Sequence, residues 1–121
     1  MLKLKENVSL KKYNSFGIEV FTEKFFLLTK ISQLKELFTQ FQKESIRVHG
    51  GGSNMLLTKD YDGITLVIAN KGISVLNETE TSVLVSVQAG ENWHEFVLWC
   101  LKHNYGGVEN LALIPGSVGA S

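Results

Sequence analysis

The period of the hydrophobic positions changes several times along the chain, and each change predicts an element. Phe25-Phe26-Leu27-Leu28 is a short apolar run that ends at Thr29, a residue suited to cap a helix N-terminus, so a strand feeding a helix is expected. From Ile31 the apolar residues fall at Ile31, Leu34, Leu37, Phe38 and Phe41, with Lys35, Glu36, Gln40 and Lys43 on the other face. That spacing predicts an amphipathic helix. Ser45-Ile46-Arg47-Val48-His49 reads as a strand running straight into Gly50-Gly51-Gly52-Ser53-Asn54, after which Met55-Leu56-Leu57 is apolar again. Tyr61-Asp62-Gly63 has turn chemistry and precedes the strand-like run Ile64-Thr65-Leu66-Val67-Ile68. Val83, Val85 and Val87 alternate with polar neighbours in a later strand, and 77–82 reads as the polar tip of a hairpin. Asn92 and Glu95 resemble a capping box opening a helix whose stripe is Trp93, Phe96, Val97, Cys100 and Leu101, closed by Asn104 and Gly106-Gly107.

Composition narrows the class. At 121 residues the chain is one domain's worth, and 44% apolar residues give it a real core and exclude a disordered segment. Twelve basic residues balance twelve acidic ones, which leaves no global basic bias for nucleic acid. A lone cysteine, Cys100, offers neither an internal disulfide nor a Cys-x-x-Cys metal site, and no metal is expected. No run approaches the apolar length of a signal peptide core or a membrane span, so the expected setting is the cytoplasm.

Two loops could carry chemistry. Three consecutive glycines after a strand let the backbone turn sharply and bring its N–H groups close to a phosphate, although a plain tight turn uses the same residues. The loop is not a P-loop, which needs Gly-Lys-Ser/Thr where this chain has Gly52-Ser53-Asn54. Nor is it a Rossmann fingerprint, because Met55 stands where the third glycine belongs and no acidic residue ends the next strand. What remains is a set of backbone donors with the Ser53 hydroxyl and the Asn54 amide. The second loop, from Ile114 to Ser121, presents almost no side chain at Gly116, Gly119 and Ala120; close approach to a ligand and a conformational hinge both fit it. His94 and His103, nine apart on one helix, suit surface roles, Cys100, Trp93 and Trp99 suit packing, and His49 alone among the histidines abuts a candidate loop.

Four motifs in order carry a resemblance. Asn14-Ser15-Phe16-Gly17-Ile18, His49-Gly50-Gly51-Gly52-Ser53-Asn54, Ala89-Gly90-Glu91-Asn92-Trp93 and the run from Glu109 to Gly119 resemble the N-terminal part of the UDP-N-acetylenolpyruvoylglucosamine reductase family. The family's first motif more often has Thr at the position of Ser15, a change that keeps the hydroxyl. The resemblance implies an α+β FAD-binding domain of the vanillyl-alcohol-oxidase (PCMH) type, truncated at its C-terminus, with a small βαβ-like lobe over about 1–70 and the start of a mainly antiparallel lobe over about 71–121. It implies that Gly50, Gly51, Gly52, Ser53 and Asn54 wrap the FAD pyrophosphate, with Val48, His49 and Met55 touching the cofactor. It also implies that Ile114, Pro115, Gly116, Ser117, Gly119 and Ala120 lie along the flavin and its phosphates. For the full-length protein it implies NADPH as hydride donor, a UDP-sugar enolpyruvate as substrate and UDP-N-acetylmuramate as product, in peptidoglycan precursor synthesis. No catalytic residue is expected within these 121 positions, because the family's substrate-binding domain and proton donor lie beyond them, and the chain alone is expected to be inactive. A free-standing flavin- or nucleotide-binding module, and an FAD oxidase of the same fold with another substrate, are the competing readings.

Overall fold

The computed structural model describes residues Met1–Ser121. Its elements in chain order are β1 (Lys5–Ser9), β2 (Phe21–Leu28), α1 (Ser32–Gln40), β3 (Ile46–His49), β4 (Tyr61–Ile68), β5 (Ile73–Glu78), β6 (Val83–Val87) and α2 (Trp93–Lys102), with single 3₁₀ turns at Lys11–Tyr13, Glu109–Leu111 and Val118–Ala120. The first four strands form one sheet in the order β1-β2-β4-β3, and β5 with β6 forms a separate antiparallel hairpin. Within the large sheet β2, β4 and β3 run parallel and β1 is antiparallel to β2. The chain therefore leaves β2, crosses through α1 to the outer strand β3, and returns to insert β4 between them.

That topology explains the apolar doublets. A strand buried on both faces has no polar side, so it reads as a continuous hydrophobic run. Phe25 and Val67 face one cluster, with Leu10, Val20 and Leu57. Phe26, Leu28 and Leu66 face the other, against Leu37 of α1. Burying each such side chain stabilises the fold by about 1.5–3 kcal/mol, and the two clusters clamp β2 and β4 into register.

Several expectations are corrected in detail. Thr29 does not cap α1: the helix opens at Ser32, and Gln33 reaches back to accept from the N–H groups of Thr29 and Lys30 at 3.1 and 3.0 Å. The first N–H groups of the helix, those of Gln33 and Leu34, find backbone acceptors instead of a cap side chain, the carbonyls of Lys30 and Ile31, each at 3.1 Å. Only part of the predicted stripe is inside. Leu37 is buried and Leu34 and Phe41 pack beside it, whereas Ile31 and Phe38 face out. Tyr61-Asp62-Gly63 is not a turn but the start of β4, where Thr22 pairs with Tyr61 and Lys24 with Ile64. Two steps on β2 thus span three on β4. A bulge tolerates the same residues as a turn, because both interrupt the regular ladder.

The later elements follow the pattern closely. Thr79 and Ser82 close the β5–β6 hairpin through the bond from the Thr79 N–H to the Ser82 carbonyl. Asn92 caps α2, its side-chain oxygen accepting from the Glu95 N–H at 2.9 Å. Val97 and Cys100 form the buried part of that helix, and Asn104 ends it in left-handed backbone with φ 59°. No helix is long and apolar enough to cross a membrane.

Candidate functional site

The glycine loop begins where β3 ends at the edge of the sheet. Side chains alternate along a strand, so Val48 opens outward, 58% exposed, while the next residue, His49, is wholly buried on the opposite face. Beyond His49 the backbone N–H groups of Gly50, Gly51, Gly52, Ser53 and Asn54 donate to no carbonyl or side chain of the protein. Five free donors in sequence suit an anionic group.

The loop is held from behind by residues far away in sequence. Gly52 has φ +69°, and a Cβ there would collide with the carbonyl oxygen of Tyr13 and stand 2.7 Å from its carbonyl carbon. Only glycine lets this backbone seat against Tyr13. The Ser15 N–H donates to the Gly52 carbonyl at 3.0 Å. Asn14 ties the turn itself, donating to the carbonyls of Leu10 and Ile18 at 2.8 and 3.1 Å and accepting from the Ile18 N–H at 3.0 Å. The Asn14–Ile18 motif is therefore the buttress of the 50–54 loop.

The second glycine loop meets the first from the other side. A Cβ on Gly51 would sit 3.5 Å from Cα of Gly116, and one on Gly116 would sit 3.3 Å from Oγ of Ser53. Gly119 packs so tightly that an added Cβ would lie 2.7 Å from Cβ of Ala89. Backbone bonds staple this loop to the start of α2: Trp93 N–H to the Gly116 carbonyl at 3.0 Å, Val118 N–H to Glu91 at 2.8 Å and Gly119 N–H to Ala89 at 3.0 Å. Two side chains of the first turn of α2 add to it. The Trp93 ring N–H donates to the Leu111 carbonyl at 2.9 Å, and His94 Nδ1 accepts from the Leu113 N–H at 2.9 Å.

Between the loops lies a cleft of about 240 Å³ lined by Val48, Gly50, Ile68, Ala89, Ser117, Gly119 and Ala120. No charged side chain is among them, and small residues form most of its wall. Five of the residues expected at the cofactor, Val48, Gly50, Ser117, Gly119 and Ala120, line this cleft together. Gly51, Ser53 and Gly116 adjoin it through the loop contact described above. Met55 instead packs on the Leu10–Val67 cluster, and Ile114 and Pro115 lie exposed outside the cleft lining. His49 turns its imidazole inward, with Nε2 2.8 Å from the Tyr13 carbonyl, so only its backbone leads to the loop. Ile68 and Ala89 line the cleft without having been singled out. The available signal for Ala89 was its place in the Ala89–Trp93 motif; Ile68, the last residue of an apolar strand, gave none.

The other titratable groups stand apart. Burial pushes the Cys100 thiol up, which suits a packed residue and not a nucleophile. Trp99 stacks among Phe96, His103 and Tyr105, a packing role. A surface hollow of about 490 Å³ beside Glu6, Glu23, Asp60 and Asp62 is on a different part of the sheet, and another of the same size lies between the β5–β6 tip and the end of α2.

Fold and cleft together define a domain that presents a neutral, glycine-walled groove and a strip of backbone donors to a phosphate-bearing, planar ligand. The model of the FAD binding domain family matches residues 23–121, and the chain belongs to that family. It is 44% identical over 120 residues to UDP-N-acetylenolpyruvoylglucosamine reductase of Flavobacterium johnsoniae, an alignment covering 99% of this chain and 36% of that protein. The reductase of the same name from Pseudomonas putida is 45% identical over 118 residues, 96% of this chain and 35% of its own length. Among solved structures, UDP-N-acetylenolpyruvylglucosamine reductase from Thermus caldophilus shares the fold at a TM-score of 0.71 and 22% identity, over 98% of this chain and 41% of that one. The chain spans about a third of the length of the curated relatives it matches.

The residues present fit FAD. A pyrophosphate needs donors without excess bulk, which the free N–H groups of 50–54 supply, and a flat ring system needs a wall without protruding side chains, which Gly116, Gly119 and Ala120 supply.

Proposed function

We propose that this chain is the FAD-binding portion of a cytoplasmic, NADPH-dependent reductase that converts UDP-N-acetylglucosamine enolpyruvate to UDP-N-acetylmuramate in peptidoglycan precursor synthesis. The observation that carries the reading is the pair of glycine loops closing on one uncharged cleft, in a chain whose similarity to proteins named as this reductase runs along nearly its whole length. Residues of about 1–70 form the first lobe and about 71–121 begin the second, with the cofactor between them.

Gly50 to Asn54 hold the pyrophosphate through their N–H groups, assisted by the Ser53 hydroxyl and the Asn54 amide. Gly116, Ser117, Gly119 and Ala120 form the wall for the ring system, kept in place by the staples to Ala89, Glu91 and Trp93. Val48 and Ile68 shield the cleft from the sheet side. Bound FAD supplies a ring that accepts and passes on a hydride, chemistry that no protein side chain can perform. These 121 residues orient it and exclude water on one side; NADPH and the UDP-sugar are partners of the longer protein.

The test has two arms. Titrating the 121-residue chain with FAD should quench flavin fluorescence saturably, and a linear response would remove the binding assignment. The longer protein should oxidise NADPH only when the UDP-sugar enolpyruvate is added. NADPH oxidation at the same rate without that substrate would favour an oxidase of the same fold.

A further inference from the structure

His49 is the one fully buried histidine, and the reading above assigns it no function. Its Nε2 lies 2.8 Å from the carbonyl oxygen of Tyr13, and its Nδ1 is buried with no partner. A carbonyl can only accept, so the proton sits on Nε2 and Nδ1 is an unprotonated lone pair. The carbonyl it binds is the same one that Gly52 packs against, and two residues further on Ser15 donates to the Gly52 carbonyl. The arm from Leu10 to Ile18 is shaped by Asn14, but among side chains only His49 reaches from the strand that launches the loop to the Tyr13 carbonyl.

We propose that His49 is a positioning residue for the 50–54 loop, docking the Tyr13 carbonyl so that residues 13 and 15 clasp Gly52 and fix the direction of the free N–H groups. It touches no ligand. Its effect on FAD affinity rests on the function proposed above, whereas its effect on the clasp does not.

The consequence for the loop is geometric. Gly52 is in left-handed backbone, and the arm contacts it both through the Tyr13 carbonyl and through the Ser15 N–H. Release of Tyr13 leaves the Ser15 bond as the one hydrogen bond between arm and loop. The five donors then sample several directions, and binding must restrict them again at an entropic cost.

The experiment compares the 121-residue chain with His49→Leu, which keeps the apolar bulk and removes the donor, and His49→Gln, which restores a side-chain N–H. Leu34→Ala serves as control, because it loosens the cluster on the opposite face of the sheet without touching the arm. Amide exchange of Ser15 is measured relative to that of the buried Ile64 of β4, whose N–H donates to the Ser45 carbonyl at the entry to β3. In His49→Leu the Ser15 amide should exchange about tenfold faster relative to Ile64, the scale of one lost hydrogen bond. His49→Gln should recover most of that protection and Leu34→Ala should not change the ratio. FAD affinity should follow the same order. An unchanged Ser15 ratio in His49→Leu, or the same rise in Leu34→Ala, would overturn the proposal. Nitrogen NMR of the wild-type imidazole needs no variant: it should show the Nε2–H tautomer, and the Nδ1–H tautomer would overturn the proposal on its own. If the exchange result holds while the wild-type chain fails to bind FAD, the clasp stands and the functional reading falls.

Discussion

Replacing Gly52 by alanine separates two costs that glycine loops usually confound. The first is conformational: holding a residue with a Cβ at φ +69° costs about 1–2 kcal/mol relative to glycine. The second is steric. The new methyl would overlap the Tyr13 carbonyl oxygen and lie 2.7 Å from the carbonyl carbon and 3.0 Å from Cα of Asn14. Those are backbone atoms, pinned by Asn14 and His49, so the arm must retreat by roughly 1 Å, and overpacking of this kind costs about 1–3 kcal/mol. Retreat also stretches the Ser15–Gly52 hydrogen bond, worth about 1 kcal/mol. A total near 4 kcal/mol is a large share of the stability of a domain this size. Gly17 provides the comparison, with φ +64° and nothing within 4 Å of an added Cβ. Gly17→Ala should lose only the conformational part. Urea unfolding followed by circular dichroism measures both, and a Gly52→Ala loss within about 1 kcal/mol of Gly17→Ala would refute the claim that the arm presses on the loop.

Three further outcomes are expected. Gly51→Ala places its methyl at ordinary contact distance, 3.5 Å from Gly116, so stability should change by less than about 1 kcal/mol while FAD affinity falls, as fluorescence quenching would record. Asn92→Ala removes the acceptor for the Glu95 N–H and should cost about 1 kcal/mol in urea unfolding; no change would mean that α2 is held by packing alone. The His49 imidazole is held below its ordinary value of 6.5, chiefly by burial and also by the Arg47 charge, with the Tyr13 carbonyl pulling the other way. Below about pH 6.5 the unfolded chain therefore takes up a proton that the folded chain resists. The contribution of His49 is complete above that pH and declines as the pH falls below it. Urea midpoints should drop more steeply between pH 7 and 5 in the wild type than in His49→Gln, and parallel declines would reject the assignment.

The parts of this molecule that read correctly from sequence are those decided by neighbours in the chain. The Asn92 cap, the alternation at Val83, Val85 and Val87, and the strand that launches the triple glycine each depend on a few adjacent residues. The misreadings come from contacts across the fold. Thr29 has cap chemistry, but its hydroxyl turns to the Gln33 side chain and Ile31 takes the cap position; Tyr61-Asp62-Gly63 has turn chemistry, but pairing with β2 turned it into a bulge. Ile31 and Phe38 share the helical period of Leu34 and Leu37, yet the packing of α1 against the sheet leaves them outside.

The same division runs through the site. Sequence alone supplied both small-residue loops, because a backbone that must approach a ligand closely can be written in few ways. It could not supply the distance between them. Only the tertiary structure brought Gly51 to Gly116, placed Ala89 and Ile68 on the cleft, and sent Val48 toward the groove while burying His49 behind it. The physical reason is that a strand fixes the alternation of its side chains but not which face is inside. Here the buried face is the one on which His49 meets the carbonyl of Tyr13, thirty-six positions earlier in the chain.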